Sequence, residues 1–354
     1  MKINIYLPHI SRQPIGGVKV MYEYANHFAQ IGYDVVVYSI YTNTSLRYRL
    51  PHWIRTIKNN IFYPDYRPTW YPLNKNVICK NIPKLKDKYV RDADISLSTC
   101  WVICSDLSKL SKGKGVKMNL IQDYELWIGN KKKLLHASYR LPVQHIVIAD
   151  YLADIVEEES GIRPAIVYNG INQDIFNIKT PIEQRNPHTI SMLYHTEERK
   201  GTQYGLEALR ICKKEIPGLR VELFGVYPRP DNLEKWICYT QSPQDLCSLY
   251  NSTAIYFTPS NREGWALPPA EAMNCGCALV CTDIGGHSAY TKKDETALFV
   301  EPQNAQDMAS QLLTLLKDNA LRIDLAKKGN EYVKQFNWET AASRIEQQYN
   351  RNKK

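Results

Sequence analysis

Ser260-Asn261-Arg262-Glu263-Gly264-Trp265-Ala266-Leu267-Pro268-Pro269-Ala270-Glu271-Ala272-Met273 sets two carboxylates, Glu263 and Glu271, with seven residues between them. Just upstream, Ala254-Ile255-Tyr256-Phe257-Thr258 is a short apolar run that Pro259 ends, which predicts a buried strand. Downstream, Pro268 to Asn274 has the composition of a helix. Its prolines fall in the first turn, where a missing N–H costs little. The amides of Gly264, Trp265 and Ala266 lie just ahead of that helix, where N–H groups and the helix dipole favour an anion. Glu263 falls at the strand end and Glu271 about one turn into the helix, and each carboxylate can accept a pair of hydroxyl hydrogen bonds. An anion beside adjacent diols is the chemistry of a sugar nucleotide. Spacing alone would also fit an ordinary strand-turn-helix, so the flanking residues have to decide.

They do so by resemblance. The stretch resembles the E-x7-E signature of the retaining glycosyltransferases of family 4. Gly264, the Leu267-Pro268 pair, Cys275-Gly276 and Gly285-Gly286 agree with the same pattern. Matches run from Pro14-Ile15-Gly16-Gly17 to Trp338, nearly the whole chain, with residues 42–76 unaligned. The resemblance implies an α/β chain of the GT-B fold, with two Rossmann-like parallel-sheet domains facing a cleft. It implies an acceptor-side domain over 1–168, a nucleotide-sugar domain over 169–334, and a last helix, 335–354, crossing back to the first domain.

It also implies roles. Glu263 would contact donor-sugar hydroxyls and Glu271 the ribose. Lys200, in Arg199-Lys200-Gly201, matches the family's lysine on the donor diphosphate. The partner arginine's position falls on His195, so that cation is either replaced by histidine or supplied by Arg199. Lys200 and Glu263 are the expected catalytic pair, since a departing diphosphate needs a permanent cation. Arg199, Gly264, Trp265, Ala266, Leu267 and Glu271 complete the expected donor site. Gly16 and Gly17, between the first strand and helix, would face the donor phosphates; there is no G-x-G-x-x-G, so a dinucleotide site is not expected. Gln122 stands where many relatives have a histidine near the sugar, able to donate a hydrogen bond but not to act as acid or base. Asp123 is an acceptor-side group or a cap for the next turn. His287, in a loop after Gly285-Gly286, is expected to be solvated.

Asp92-Ala93-Asp94 has the D-x-D spacing of a metal site in another glycosyltransferase fold, but it precedes a strand instead of ending one. A helix-to-strand turn accounts for it better, and no catalytic metal and no cofactor are expected; the nucleotide sugar is a co-substrate. Transfer of that sugar to a glycan or lipid-linked acceptor, with retention and in cell-surface polysaccharide synthesis, is the implied function. The rivals are a sugar-nucleotide epimerase of the same fold and a non-catalytic membrane-docking subunit.

With 354 residues and 44% hydrophobic content the chain fits two globular domains. No apolar run reaches the roughly 18–20 residues that span a bilayer. Met1 to Pro8 reads as a buried strand and not a signal peptide. The nine cysteines lack metal-ligand spacing and suit small buried hydrophobes in a reducing cytoplasm. The net charge of +9 resides in residues 1–180, with 24 Lys+Arg against 15 Asp+Glu; residues 181–354 balance at 21 each. Basic residues there interleave with Trp53, Phe62, Tyr63, Tyr66, Trp70 and Tyr71. Such a mixture suits an anionic membrane surface at the inner face, or simply a solvated basic face around an insertion. Nucleic acid is not expected, because no recognition module accompanies the charge.

Strands are expected at Ile3–Leu7, Val35–Ser39, Ile95–Ser98, Lys117–Gln122, His145–Ala149, Ile190–Tyr194, Arg220–Gly225 and Ala278–Thr282, besides the one before Pro259. Helices are expected near 18–30, 153–160, 202–214, 243–250, 305–316, 320–334 and from after Glu339 to about Tyr349. Such alternation predicts parallel sheets with crossover helices.

Overall fold

A computed structural model describes residues 1–41, 66–126 and 131–352. The chain divides into two compact units, Met1–Asn169 joined by Trp338–Lys354, and Gly170–Asn337.

The first unit is a parallel sheet of seven strands in the order β3-β2-β1-β4-β5-β6-β7. These are β1 Lys2–Leu7, β2 Asp34–Ile40, β3 Ile78–Ile82, β4 Ile95–Thr99, β5 Val116–Ile121, β6 Gln144–Val147 and β7 Ala165–Ile166. The inner strands are largely buried, as expected where helices cover both faces of a parallel sheet, and they bury polar Asn4, Ser96, Ser98 and Asn119 along with their apolar residues. Ile3, Ile5, Leu7 and Leu97 have no exposed surface. Four crossover helices are described: α1 Gly16–Gln30, α2 Trp101–Ser108, α3 Lys132–Tyr139 and α4 Asp150–Ser160. α1 turns Val18, Met21, Tyr22, Ala25 and Phe28 inward, one face at helical spacing.

Several residues of the basic, aromatic stretch are part of this packing. Trp70 donates its indole N–H to the Ser11 carbonyl at 3.0 Å, and Tyr71 stacks on Tyr22 at 5.4 Å. Arg67 donates to the carbonyls of Asn74 and Val77, and Lys114 to Val90 and Asp92. Trp70 and Tyr71 are thus anchors of the fold, which corrects their place on an exposed face. Trp53, Phe62 and Tyr63 lie outside the described residues. Asp92 is taken by Lys114, and Asp94 accepts the Lys2 N–H at 2.7 Å; both carboxylates serve the turn before β4.

The second unit has a parallel sheet of six strands in the order β10-β9-β8-β11-β12-β13. Its strands are β8 Thr189–Leu193, β9 Arg220–Gly225, β10 Ile237–Gln241, β11 Ile255–Thr258, β12 Ala278–Thr282 and β13 Leu298–Val300. Its helices are α5 Thr202–Glu215, α6 Leu246–Asn251, α7 Leu267–Asn274, α8 Gly285–Ser288, α9 Ala305–Lys317 and α10 Asn319–Val333. Asp245, Asn304 and Asp318 cap α6, α9 and α10 with side-chain acceptors. Beneath the sheet, Arg185 is buried and held by carbonyls of Thr180, Tyr250, Thr253 and Cys275.

Helix α11, Trp338–Asn352, belongs to the first unit. Trp338 meets Tyr24 of α1 edge-on at 5.4 Å, and Gln348 pairs with Gln144 at 3.0 Å. Seven of the nine cysteines are buried. Among the described residues no helix is long and apolar enough to cross a membrane.

Candidate active site

In the second unit the chain steps outward from β8 to β9 and β10, then returns to place β11 on the other side of β8. The order reverses between β8 and β11, the place where parallel α/β sheets of this kind hold their ligands, beyond the carboxyl ends of the strands. Two contacts bring the loops after β8 and β11 together. Gly201 has φ +63°, and a Cβ there would lie 1.9 Å from the Pro259 carbonyl oxygen, so only glycine fits. Asn261 N–H donates to the Arg199 carbonyl at 2.7 Å.

That junction gathers charge. Lys200 Nζ donates to Glu263 Oε1 at 2.7 Å, and Arg199 Nη1 lies 3.6 Å from Glu263 Oε2. Ser260 Oγ donates to Glu263 Oε1 at 2.7 Å. Burial by itself would raise the Glu263 pKa, but Lys200, then Arg199 and Ser260, outweigh it and hold the carboxyl below its ordinary value. Glu263 is thus an anion, five residues past the end of β11 and not at its tip.

Helix α7 begins at Leu267 with no side-chain cap and two prolines in its first turn. Proline has no N–H, so the amides presented ahead of it are those of Gly264, Trp265, Ala266 and Leu267. The Trp265 ring packs on Tyr290 at 4.7 Å and on Phe336 at 6.0 Å, so its side chain is committed to the fold. Glu271 follows one turn in, 3% exposed.

His195 is a neutral ring here. Its Nδ1 accepts the Glu197 N–H at 3.0 Å, which requires a bare nitrogen there. Burial moves its pKa further below the ordinary histidine value. The guanidinium that reaches Glu263 is that of Arg199.

Gly16, Gly17, Gln122 and Asp123 belong to the first unit, at the carboxyl ends of β1 and β5. Gln122 Nε2 donates to the Gly17 carbonyl at 3.0 Å and to Thr99 Oγ1 at 2.8 Å. Both amide hydrogens are therefore used inside the protein, which corrects the expectation that Gln122 donates to a sugar; its oxygen remains as acceptor. Asp123 is buried and accepts the Tyr124 N–H at 2.7 Å, the turn-capping role.

One buried carboxyl was missed and one histidine was misplaced. Glu125 accepts the Trp101 N–H at 3.0 Å at the start of α2, and burial lifts its pKa to about 7. The run Gln122-Asp123-Tyr124-Glu125 after an apolar strand was the available signal. His287 is fully buried in the short helix α8, not solvated, and burial lowers its pKa.

Residues 175–332 match the family described as Glycosyl transferases group 1. The D-inositol 3-phosphate glycosyltransferase of Corynebacterium aurimucosum is 33% identical over 107 residues, 30% of this chain and 25% of that protein. Sulfoquinovosyl transferase SQD2 of Arabidopsis thaliana is 27% identical over 159 residues, 42% of this chain and 31% of that one. The chain spans a quarter to three-fifths of the length of such relatives; at the upper end it covers 58% of a glycosyltransferase of Methanocaldococcus jannaschii. Over 99% of the chain the fold matches sucrose-phosphate synthase from Thermosynechococcus elongatus, of which 98% is covered, with TM-score 0.74 and 16% identity. Anabaena Alr3699/HepE, solved with UDP and glucose, matches over 98% of this chain and 99% of its own, with TM-score 0.75 and 13% identity. The fold is GT-B.

Proposed function

We propose that this protein is a retaining glycosyltransferase that takes a sugar from a nucleotide-sugar donor without a metal ion. The observation that carries the reading is the meeting of Lys200, Arg199, Glu263 and the Gly264–Leu267 amides at one switch point, with Glu271 one turn beyond. Lys200 and Arg199 supply the charge that a leaving diphosphate requires, and preorganised amides add to it without reorganisation. Binding would draw Lys200 from Glu263 toward phosphate, leaving the carboxylate for sugar hydroxyls. The acceptor oxygen then attacks the anomeric carbon on the face from which the diphosphate leaves. The C–O bond to the diphosphate breaks and its oxygen takes the acceptor's proton. The protein orients and stabilises charge, and no side chain forms a covalent intermediate.

UDP is the first nucleotide to test, because HepE was solved with UDP and UDP-glucose. The acceptor class is a glycan or lipid-linked oligosaccharide, at the cytoplasmic face of a membrane, in cell-surface polysaccharide synthesis. The excess of basic residues in the first 180 positions supports that surface.

A thermal-shift panel of nucleoside diphosphates and nucleotide sugars, with and without EDTA, tests the reading. A specific rise in Tm that EDTA leaves unchanged is expected. No shift with any of them would turn attention to a non-catalytic subunit, and product formation from donor alone would indicate an epimerase. Glu271→Ala is expected to weaken donor binding, and Lys200→Ala to lower turnover by roughly 10²-fold or more; equal donor affinity in wild type and Glu271→Ala would remove the ribose assignment.

A further inference from the structure

Helix α8 lies directly against the Glu263 loop: a Cβ on Gly286 would stand 2.2 Å from the Glu263 carbonyl oxygen. The next residue, His287, has no exposed surface. Its Nδ1 lies 2.9 Å from the Thr282 carbonyl, an acceptor, so the ring hydrogen is on Nδ1. Nε2 is then a bare acceptor, and it is buried without a hydrogen-bond partner. From Thr282 the connection continues: its Oγ1 donates to the Ser260 carbonyl, and Ser260 Oγ donates to Glu263 Oε1 at 2.7 Å. His287, Thr282, Ser260 and Glu263 thus form one chain across the ends of β11 and β12, finishing at the carboxylate between Lys200 and Arg199.

A leucine at 287 would fill the same space without burying an orphan acceptor, which is costly. Packing alone does not call for an imidazole. What it supplies is a rigid N–H that fixes the Thr282 carbonyl, and through it the hydroxyl that holds Ser260.

We propose that His287 is a positioning residue of the donor site, which through Thr282 and Ser260 sets the Glu263 carboxylate and so governs recognition of the donor's sugar but not of its nucleotide. The inference rests on the reading of the second unit as a nucleotide-sugar site. Burial keeps the ring neutral, with Glu263 and Lys200 the charged groups that act on it.

Calorimetric titration of the full chain tests it, using UDP, UDP-glucose, UDP-N-acetylglucosamine, GDP and GDP-mannose. For the nucleotide sugar that wild type binds, His287→Leu is expected to lose roughly 10-fold in affinity, with the bare diphosphate changed less than about 2-fold. His287→Asn keeps an N–H that reaches the Thr282 carbonyl, and it is expected to recover most of the loss. Should His287→Leu fail to fold, Thr282→Val breaks the chain one link nearer Glu263 and is expected to show the same sugar-selective loss. Equal loss for nucleotide and nucleotide sugar, or no loss for either, would overturn the inference while leaving the donor site intact. Wild type that binds none of the five would overturn the donor-site reading and this inference with it.

Discussion

Glu125 shows how one enclosed carboxyl carries a pH signature. Burial raises its pKa from an ordinary carboxyl value to about 7, because the charged form loses water that the Trp101 N–H only partly replaces. The native state therefore holds this proton between pH 4.5 and 7 more tightly than the unfolded chain does. Stability from this group is present below pH 4.5 and is lost as pH rises through about 7. Glu125→Gln is expected to stabilise the first unit at pH 8 by up to about 3 kcal/mol, raising its Tm, and to change it little at pH 5. Scanning calorimetry at the two pH values checks this; an equal effect at both would mean that the carboxyl is already ionised in the native state. Reading the sequence singled out Glu263 and Glu271 by their spacing and Lys200 by resemblance, and the structure sets Lys200 against Glu263. Glu125 and His287 escaped it, since nothing local marks a side chain that distant backbone will enclose.

At the scale of elements, every inner strand of both sheets was legible, and the second copy of that logic placed β12 at Ala278–Thr282 as expected. Strands β3, β10 and β13 were missed, and each lies at a sheet edge. An edge strand is paired and covered on fewer sides, so it needs no continuous apolar run. β3 alternates exposed and half-buried positions, and β10 is largely exposed. The junction of the β8 and β11 loops depends equally on pairing that sequence does not display. Gly201→Ala places a methyl group on the Pro259 carbonyl at a positive φ. It is expected to cost roughly 2–4 kcal/mol and to separate Lys200 from Glu263. A fall of several degrees in the Tm of the second unit together with lost nucleotide-sugar binding is the expected result; unchanged binding would show that the loops hold their places without this contact.

For the whole molecule, the chain leaves the first unit after Asn169 and re-enters it at Trp338. Inside the second unit these ends are tied, with Ile171 N–H donating to the Phe336 carbonyl at 3.0 Å. Helix α11 then covers α1 with Trp338, Ala341, Ala342, Ile345 and Tyr349, all buried. Truncation after Asn337 is expected to lower the melting transition of the first unit by many degrees, while that of the second unit stays within a few. Two calorimetric transitions moving together would contradict this division of the fold. The amino-acid sequence by itself determined the alternating α/β architecture, the inner strands and the two glutamates, because apolar period, proline placement and spacing act over a few residues. Tertiary structure alone decided that Arg199 and not His195 serves Glu263, that Gln122 spends its amide on Gly17 and Thr99, and that His287 lies buried beside the site. Those outcomes depend on contacts between strands tens of residues apart, and burial and hydrogen-bond partners exist only once the sheets have formed.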